Sequence, residues 1–165
     1  MAKKLKKHEE VGEEFIADAS KTKLVRHEFP FPREVVWKAL LDGDTWTKWL
    51  PITKVEWTSP EPFAVGTTRT VWIGEQAVEE VFFAWEDNKR MAFRFDKSTL
   101  PLKACVEDYQ LVNTPGGCRL DWRFRAKAPL ILGPLISGQM SSGIKKGLPQ
   151  LETYIRENPA NFGLS

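Results

Sequence analysis

Three features of the sequence predict an α+β fold: a run of strand-like segments divided by turn residues, two short helical stretches near its start, and one long amphipathic helix at its end. The expected order is one strand, two short helices, six more strands and the long helix, with the strands in an antiparallel sheet of about seven. The first strand covers 23–29, and Pro30 and Pro32 end it. From Pro32 the pattern turns helical, with Val35, Val36, Ala39 and Leu40 on one stripe and Gly43 at the stop. A second short helix carries Trp46 and Trp49, three residues apart and therefore on one side, and Pro51 closes it. Strands are expected at 53–58, 67–73, 76–85, 90–95, 103–112 and 118–127. The helix expected over 129–157 repeats Leu132, Ile136, Met140, Ile144, Leu148, Leu151 and Ile155 every three or four residues, as one buried face requires.

The 165 residues suit one domain with a real core. Residues 1–21 read as a charged N-terminal arm, a lysine block followed by Glu9, Glu10, Glu13 and Glu14, expected as a frayed helix or a disordered arm, with docking as the alternative. Residues 159–165 read as a tail. The longest apolar stretch, 128–136, is broken by Pro129, Gly133 and Pro134 and is far shorter than a membrane span of roughly 20 residues. The basic start runs into His8-Glu9-Glu10 rather than an apolar segment, so a cytoplasmic location is expected. A net charge of +2 gives no broad footprint for nucleic acid. With two histidines, His8 and His27, and two cysteines, neither a metal site nor a cofactor is expected. The unusual property is the aromatic load of 7 Trp, 10 Phe and 2 Tyr.

Hairpin parity sorts many of these rings. In an antiparallel hairpin the paired residue numbers have a constant sum, so the turn decides which residues share a face. The turn Thr114-Pro115-Gly116-Gly117 puts Cys105, Glu107, Tyr109 and Leu111 with Leu120, Trp122, Phe124 and Ala126 on the inner face. Asp108, Gln110, Arg119, Asp121, Arg123 and Arg125 then form a solvated charge ladder outside. Glu107 therefore points inward although it is charged. Cys105 and Cys118 fall at opposite ends of this hairpin, roughly 26 Å apart, beyond the reach of a disulfide. A two-residue turn at Gly74-Glu75 pairs Thr70 with Glu79 and Arg69 with Glu80. A three-residue loop at Asp87-Asn88-Lys89 matches Trp85 with Met91, Phe83 with Phe93 and Val81 with Phe95. Joined together, these place Thr70, Trp72, Glu79, Val81, Phe83, Trp85, Met91, Phe93 and Phe95 inside, with Glu79 as a second inward carboxylate.

This order of elements, the phrase Phe29-Pro30-Phe31-Pro32-Arg33-Glu34-Val35-Val36-Trp37, and the later Trp46 and Trp49-Leu50-Pro51 resemble the START-like (SRPBCC) superfamily. Within it the chain is most similar to the polyketide cyclase/dehydrase and lipid-transport group. Val65-Gly66-Thr67, Trp85-Glu86-Asp87-Asn88-Lys89-Arg90 and Gly116-Gly117-Cys118-Arg119-Leu120 add to the likeness, which spans about 22–158. The resemblance implies a helix-grip fold: a curved sheet around the long helix, with a deep cavity between them. It carries no universal catalytic motif, so activity has to be argued from the site.

The candidate ligand-binding residues are Trp72, Glu79, Phe83, Trp85, Phe93, Phe95, Glu107, Tyr109, Trp122 and Phe124 of the sheet, with Leu132, Ile136 and Met140 of the helix. Glu107 is either a cavity acid that anchors a hydroxyl or moves a proton, or a structural carboxylate that reaches water or a helix lysine such as Lys145. Tyr109 and Trp122 either orient a ligand by their polar tips or pack as core. The leading expectation is binding or transport of a hydrophobic lipid, sterol or polyketide-like molecule, with the 129–134 segment gating access and touching a membrane transiently. An alternative is a cyclase or dehydratase using Glu107 and Tyr109. A third follows from the stretch between Val36 and Trp49, which also resembles the co-chaperone activators of the heat-shock ATPase and implies an interaction protein. Oligomeric state is open.

Overall fold

A computed structural model describes residues 3–165. In chain order the elements are β1 (Lys6–Lys7), α1 (Glu13–Ile16), β2 (Lys23–Phe29), α2 (Arg33–Leu41), α3 (Gly43–Trp46), β3 (Lys54–Trp57), β4 (Thr68–Ile73), β5 (Gln76–Glu86), β6 (Arg90–Ser98), β7 (Ala104–Thr114), β8 (Gly117–Lys127) and α4 (Leu132–Glu157). Strands β2 to β8 form one antiparallel sheet in the order β2-β8-β7-β6-β5-β4-β3, and the two-residue β1 pairs with the end of β6 to make eight. This is the expected α+β, helix-grip arrangement. The β7–β8 register matches the parity argument, with Glu107 opposite Phe124 and Tyr109 opposite Trp122.

The long helix lies across the concave face and packs against β2 and β8. Its C-terminal half buries Ile144, Leu148, Leu151 and Ile155. Gly147 allows the close approach there: a Cβ would stand 2.8 Å from the Trp49 carbonyl and from Leu50. The N-terminal half is only half-buried along the same stripe, so it stands off the sheet and leaves a space beneath it. The helix begins at Leu132 rather than 129, and Leu130 and Ile131 before it are almost fully exposed.

Four expectations need correction. The N-terminal arm is docked: β1 extends β6, His8 is buried against Ser98, and Phe15 and Ile16 pack on the outer face with Ala104 and Val106. Its charged composition hid two anchor residues that supply enough apolar area to hold a short helix. The charge ladder on that outer face is correspondingly not all solvated, because Asp108 is fully buried beneath Arg90 and Arg123. The second short helix stops at Trp46, and Trp49 lies in the turn after it, although the two rings stay 5.0 Å apart. The tail is also packed, since Phe162 in the 3₁₀ turn Pro159–Phe162 is buried.

Candidate functional site

The space under α4 is a cavity of about 510 Å³, within the usual range for small-molecule sites. Apolar residues dominate its walls: Val71 and Ile73 of β4, Val78 of β5, Phe95 of β6, and Ile136, Met140 and Ile144 of α4. Residues 50–52 and 100–102 complete the rim from two loops. Against this greasy lining the sheet floor carries one polar patch, made of Arg69, Glu80, Glu107, Tyr109 and Trp122, all buried.

Glu107 sits where the hairpin parity places it. Its Oε1 accepts hydrogen bonds from Trp122 Nε1 at 2.8 Å and Tyr109 OH at 3.2 Å, so its partners are two aromatic neighbours rather than a helix lysine. Burial pushes its carboxyl up to about 7, the charge of Glu80 adds to the rise, and Arg69 with the two hydrogen bonds pulls against it. Tyr109 is held well above its ordinary value by burial and then by Glu107, and so stays neutral. Trp46 and Trp49 flank Trp122 at 6.0 and 5.9 Å and close that side with rings.

Parity at the Gly74-Glu75 turn pairs Arg69 with Glu80 and, by placing Thr70 and Glu79 inside, puts that pair on the exposed face. The pairing is right and the face is wrong: Arg69 Nε donates to Glu80 Oε2 at 2.6 Å with both side chains buried on the cavity floor. The cause is a β-bulge. Trp85 faces Met91 as parity predicts, but the register slips between Phe82 and Ala84, so Phe82 rather than Phe83 opposes Phe93. From the bulge back towards the Gly74 turn every side chain changes face. Val78, Glu80 and Phe82 turn inward, and through the β4–β5 pairing so do Arg69, Val71 and Ile73.

Three candidates leave the site as a result. Glu79 points outward and lies 4.0 Å from Lys97, Phe83 packs under the N-terminal arm, and Trp72 sits beneath Lys54 on the far side. Thr70 and Val81 leave the inner face with them. Trp85, Phe93 and Phe124 face inward but fall in the packed core rather than the cavity wall, Trp85 against Trp37 and Phe82, and Leu132 lies beyond the lining. Phe95, Glu107, Tyr109, Trp122, Ile136 and Met140 do line the cavity. The stretch with a co-chaperone likeness turns inward, with Val36, Trp37, Ala39, Leu40, Trp46 and Trp49 buried. Cys105 and Cys118 are both free and buried. Among the described residues no helix is long and apolar enough to cross a membrane.

A family model described as polyketide cyclase / dehydrase and lipid transport matches residues 22–156. An uncharacterized protein of Mycobacterium tuberculosis (strain ATCC 25618 / H37Rv) is 47% identical over 97 residues, which is 57% of this chain and 58% of that protein. The match therefore spans little more than half of that relative. Among solved structures, protein NE0264 from Nitrosomonas europaea superposes with a TM-score of 0.68 at 18% identity, covering 87% of this chain and 99% of the other. Ara h 8.0201 gives a TM-score of 0.62 at 22% identity, covering 82% and 97%. At these identities the two structures establish the shared fold.

Proposed function

The chain belongs to the polyketide cyclase/dehydrase and lipid transport family, and on that premise we propose that it binds or carries one hydrophobic small molecule in the cavity beneath α4. The observation that carries this reading is a largely apolar cavity of about 510 Å³ whose charged side chains, Arg69, Glu80 and Glu107, are gathered in one patch on its floor. A ligand burying about 300 Å² of apolar surface there gains about 7 kcal/mol before the costs of association, which suffices for binding without covalent chemistry. Phe95, Trp122, Ile136 and Met140 are the proposed body contacts, and Glu107 and Tyr109 the proposed polar ones. The exposed Leu130, Ile131 and Leu135 at the start of α4 are the proposed access segment, apolar enough to lie briefly on a membrane.

Native mass spectrometry of gently purified protein, with displacement of a fluorescent lipid, tests the reading. Met140→Trp, which fills the cavity from the helix side, is expected to weaken displacement at least about tenfold. Unchanged binding in that variant, or no binding by any lipid class in the parent, would sink the proposal.

A second reading, turnover of a poly-ketone by a cyclase or dehydratase route, is favoured by one observation. The Glu107 carboxyl, at about 7, can both give and take a proton near neutrality, and Tyr109 is hydrogen-bonded to it. Glu107→Gln is then expected to keep binding and lose turnover; equal turnover in the variant removes this reading.

A further inference from the structure

The polar patch holds one cation and two carboxylates: Arg69 from β4, Glu80 from β5 and Glu107 from β7. Arg69 is committed to Glu80 through Nε, and its guanidinium stands 5.0 to 5.3 Å from the rings of Trp46, Trp57, Phe82 and Phe93. Its Nη1 is buried with no hydrogen-bond partner among the described residues. Rings offset part of the cost of burying that cation, but an N–H group without an acceptor remains expensive. Arg69 lines the cavity, and its guanidinium therefore brings to the floor a buried donor that lacks an acceptor. Across the patch, Glu107 takes both of its hydrogen bonds on Oε1. Its second oxygen has no such partner among the described residues.

Charge decides what oxygen suits this pair. Arg69 and Glu80 neutralise one another, and Glu107 already feels repulsion from Glu80. A carboxylate ligand would gather three carboxyl groups about one guanidinium, where scarce water screens little of the repulsion. A ketone or hydroxyl oxygen accepts from Arg69 and adds no charge. A hydroxyl can also donate to the free oxygen of Glu107, and the protonated acid can donate to a ketone.

We propose that this patch selects an uncharged oxygen head, a ketone or hydroxyl on a hydrophobic body, with Arg69 and Glu107 as the reading groups, and discriminates against carboxylates of equal length. The proposal rests on the cavity being a binding site. It is tested with the whole chain at pH 8 by displacing the uncharged fluorophore N-phenyl-1-naphthylamine with decan-2-one, decan-1-ol or decanoate. The ketone and alcohol are expected to bind at least about tenfold more tightly than decanoate. Glu107→Gln, which removes one competing charge, is expected to strengthen decanoate about fivefold. Arg69→Met is expected to weaken the ketone about tenfold, and Arg69→Lys, which keeps the charge beside Glu80, repeats the test if the first variant does not fold. Decanoate binding as tightly as the ketone, or a preference unaltered in Glu107→Gln, overturns the selection while leaving the cavity reading intact. Failure of the fluorophore and all three compounds to bind overturns both.

Discussion

Glu107 and Asp108 are consecutive carboxylates on β7, and because strand side chains alternate they serve opposite faces of the sheet. Asp108, on the outer face, is fully buried and fully engaged. Arg90 Nε reaches it at 3.0 Å, Gln110 Nε2 at 3.1 Å and Arg123 Nη2 closes the remaining side, while Arg90 also grips Glu13 of the docked arm at 2.8 Å. Glu107, on the inner face, has two neutral donors and a repelling carboxylate nearby. A saturated cluster of charges fixes the fold. A cluster left short of partners beside an apolar cavity costs stability, and such a cost is characteristic of sites built to receive something.

The largest test of this contrast is Arg69→Met, which leaves Glu80 buried without its cation. A loss of about 3–5 kcal/mol is expected from urea unfolding. A loss below about 1 kcal/mol would mean that the cavity floor does not depend on the pair.

Glu107→Gln probes the inner cluster with the opposite sign. The folded chain holds a proton on Glu107 up to about 7, whereas the unfolded carboxyl releases it near its ordinary value of 4.5. The stability this gives is full below the unfolded value and is lost as pH rises through the folded one. In total the group's contribution falls by about 3 kcal/mol across that window. The glutamine can still accept from Trp122 and Tyr109 and has no proton to lose. The variant is therefore expected to match the parent near pH 5 and to exceed it at pH 8, read as the difference in thermal midpoints. A variant less stable than the parent at pH 8 contradicts the inner cluster's cost.

Asp108→Asn is expected to lose about 2 kcal/mol, because each arginine it releases is partly open to water. Hydrogen exchange should quicken in residues 13–16 along with it, since Arg90 ties that segment to the sheet. A stability gain at alkaline pH, like that expected of Glu107→Gln, would erase the distinction between the two faces.

The readability of the sequence followed the regularity of the backbone. The β7–β8 hairpin has two unbroken eleven-residue strands and a short Pro-Gly-Gly turn, so arithmetic alone turned Glu107, Tyr109 and Trp122 inward together. The same arithmetic failed on β5, where Phe82 and Phe83 are both phenylalanine and either register keeps a ring inside. Glu79 and Glu80 repeat that ambiguity three residues earlier, and each register finds an inward carboxylate. One signal pointed the other way: only Glu80 pairs with an arginine, and a buried carboxylate needs a cation more than an exposed one does. The rim was out of reach for a different reason, because residues 50–52 and 100–102 lie in loops with no periodicity to read. In the arm, two apolar residues among many charges were too few to register as a docking face.

The bulge at Phe83 also bears on how insertions and deletions in this chain are to be understood. Removing that single residue would restore strict alternation from Glu86 back to Gln76. Phe82, Glu80 and Arg69 would keep the inner face, because Phe82 would then stand two positions from the inward Trp85. A one-residue gap at this point in an alignment therefore leaves the cavity chemistry as it is, whereas regular pairing of Phe83 without the bulge would exchange Arg69 and Glu80 for Thr70, Trp72 and Glu79.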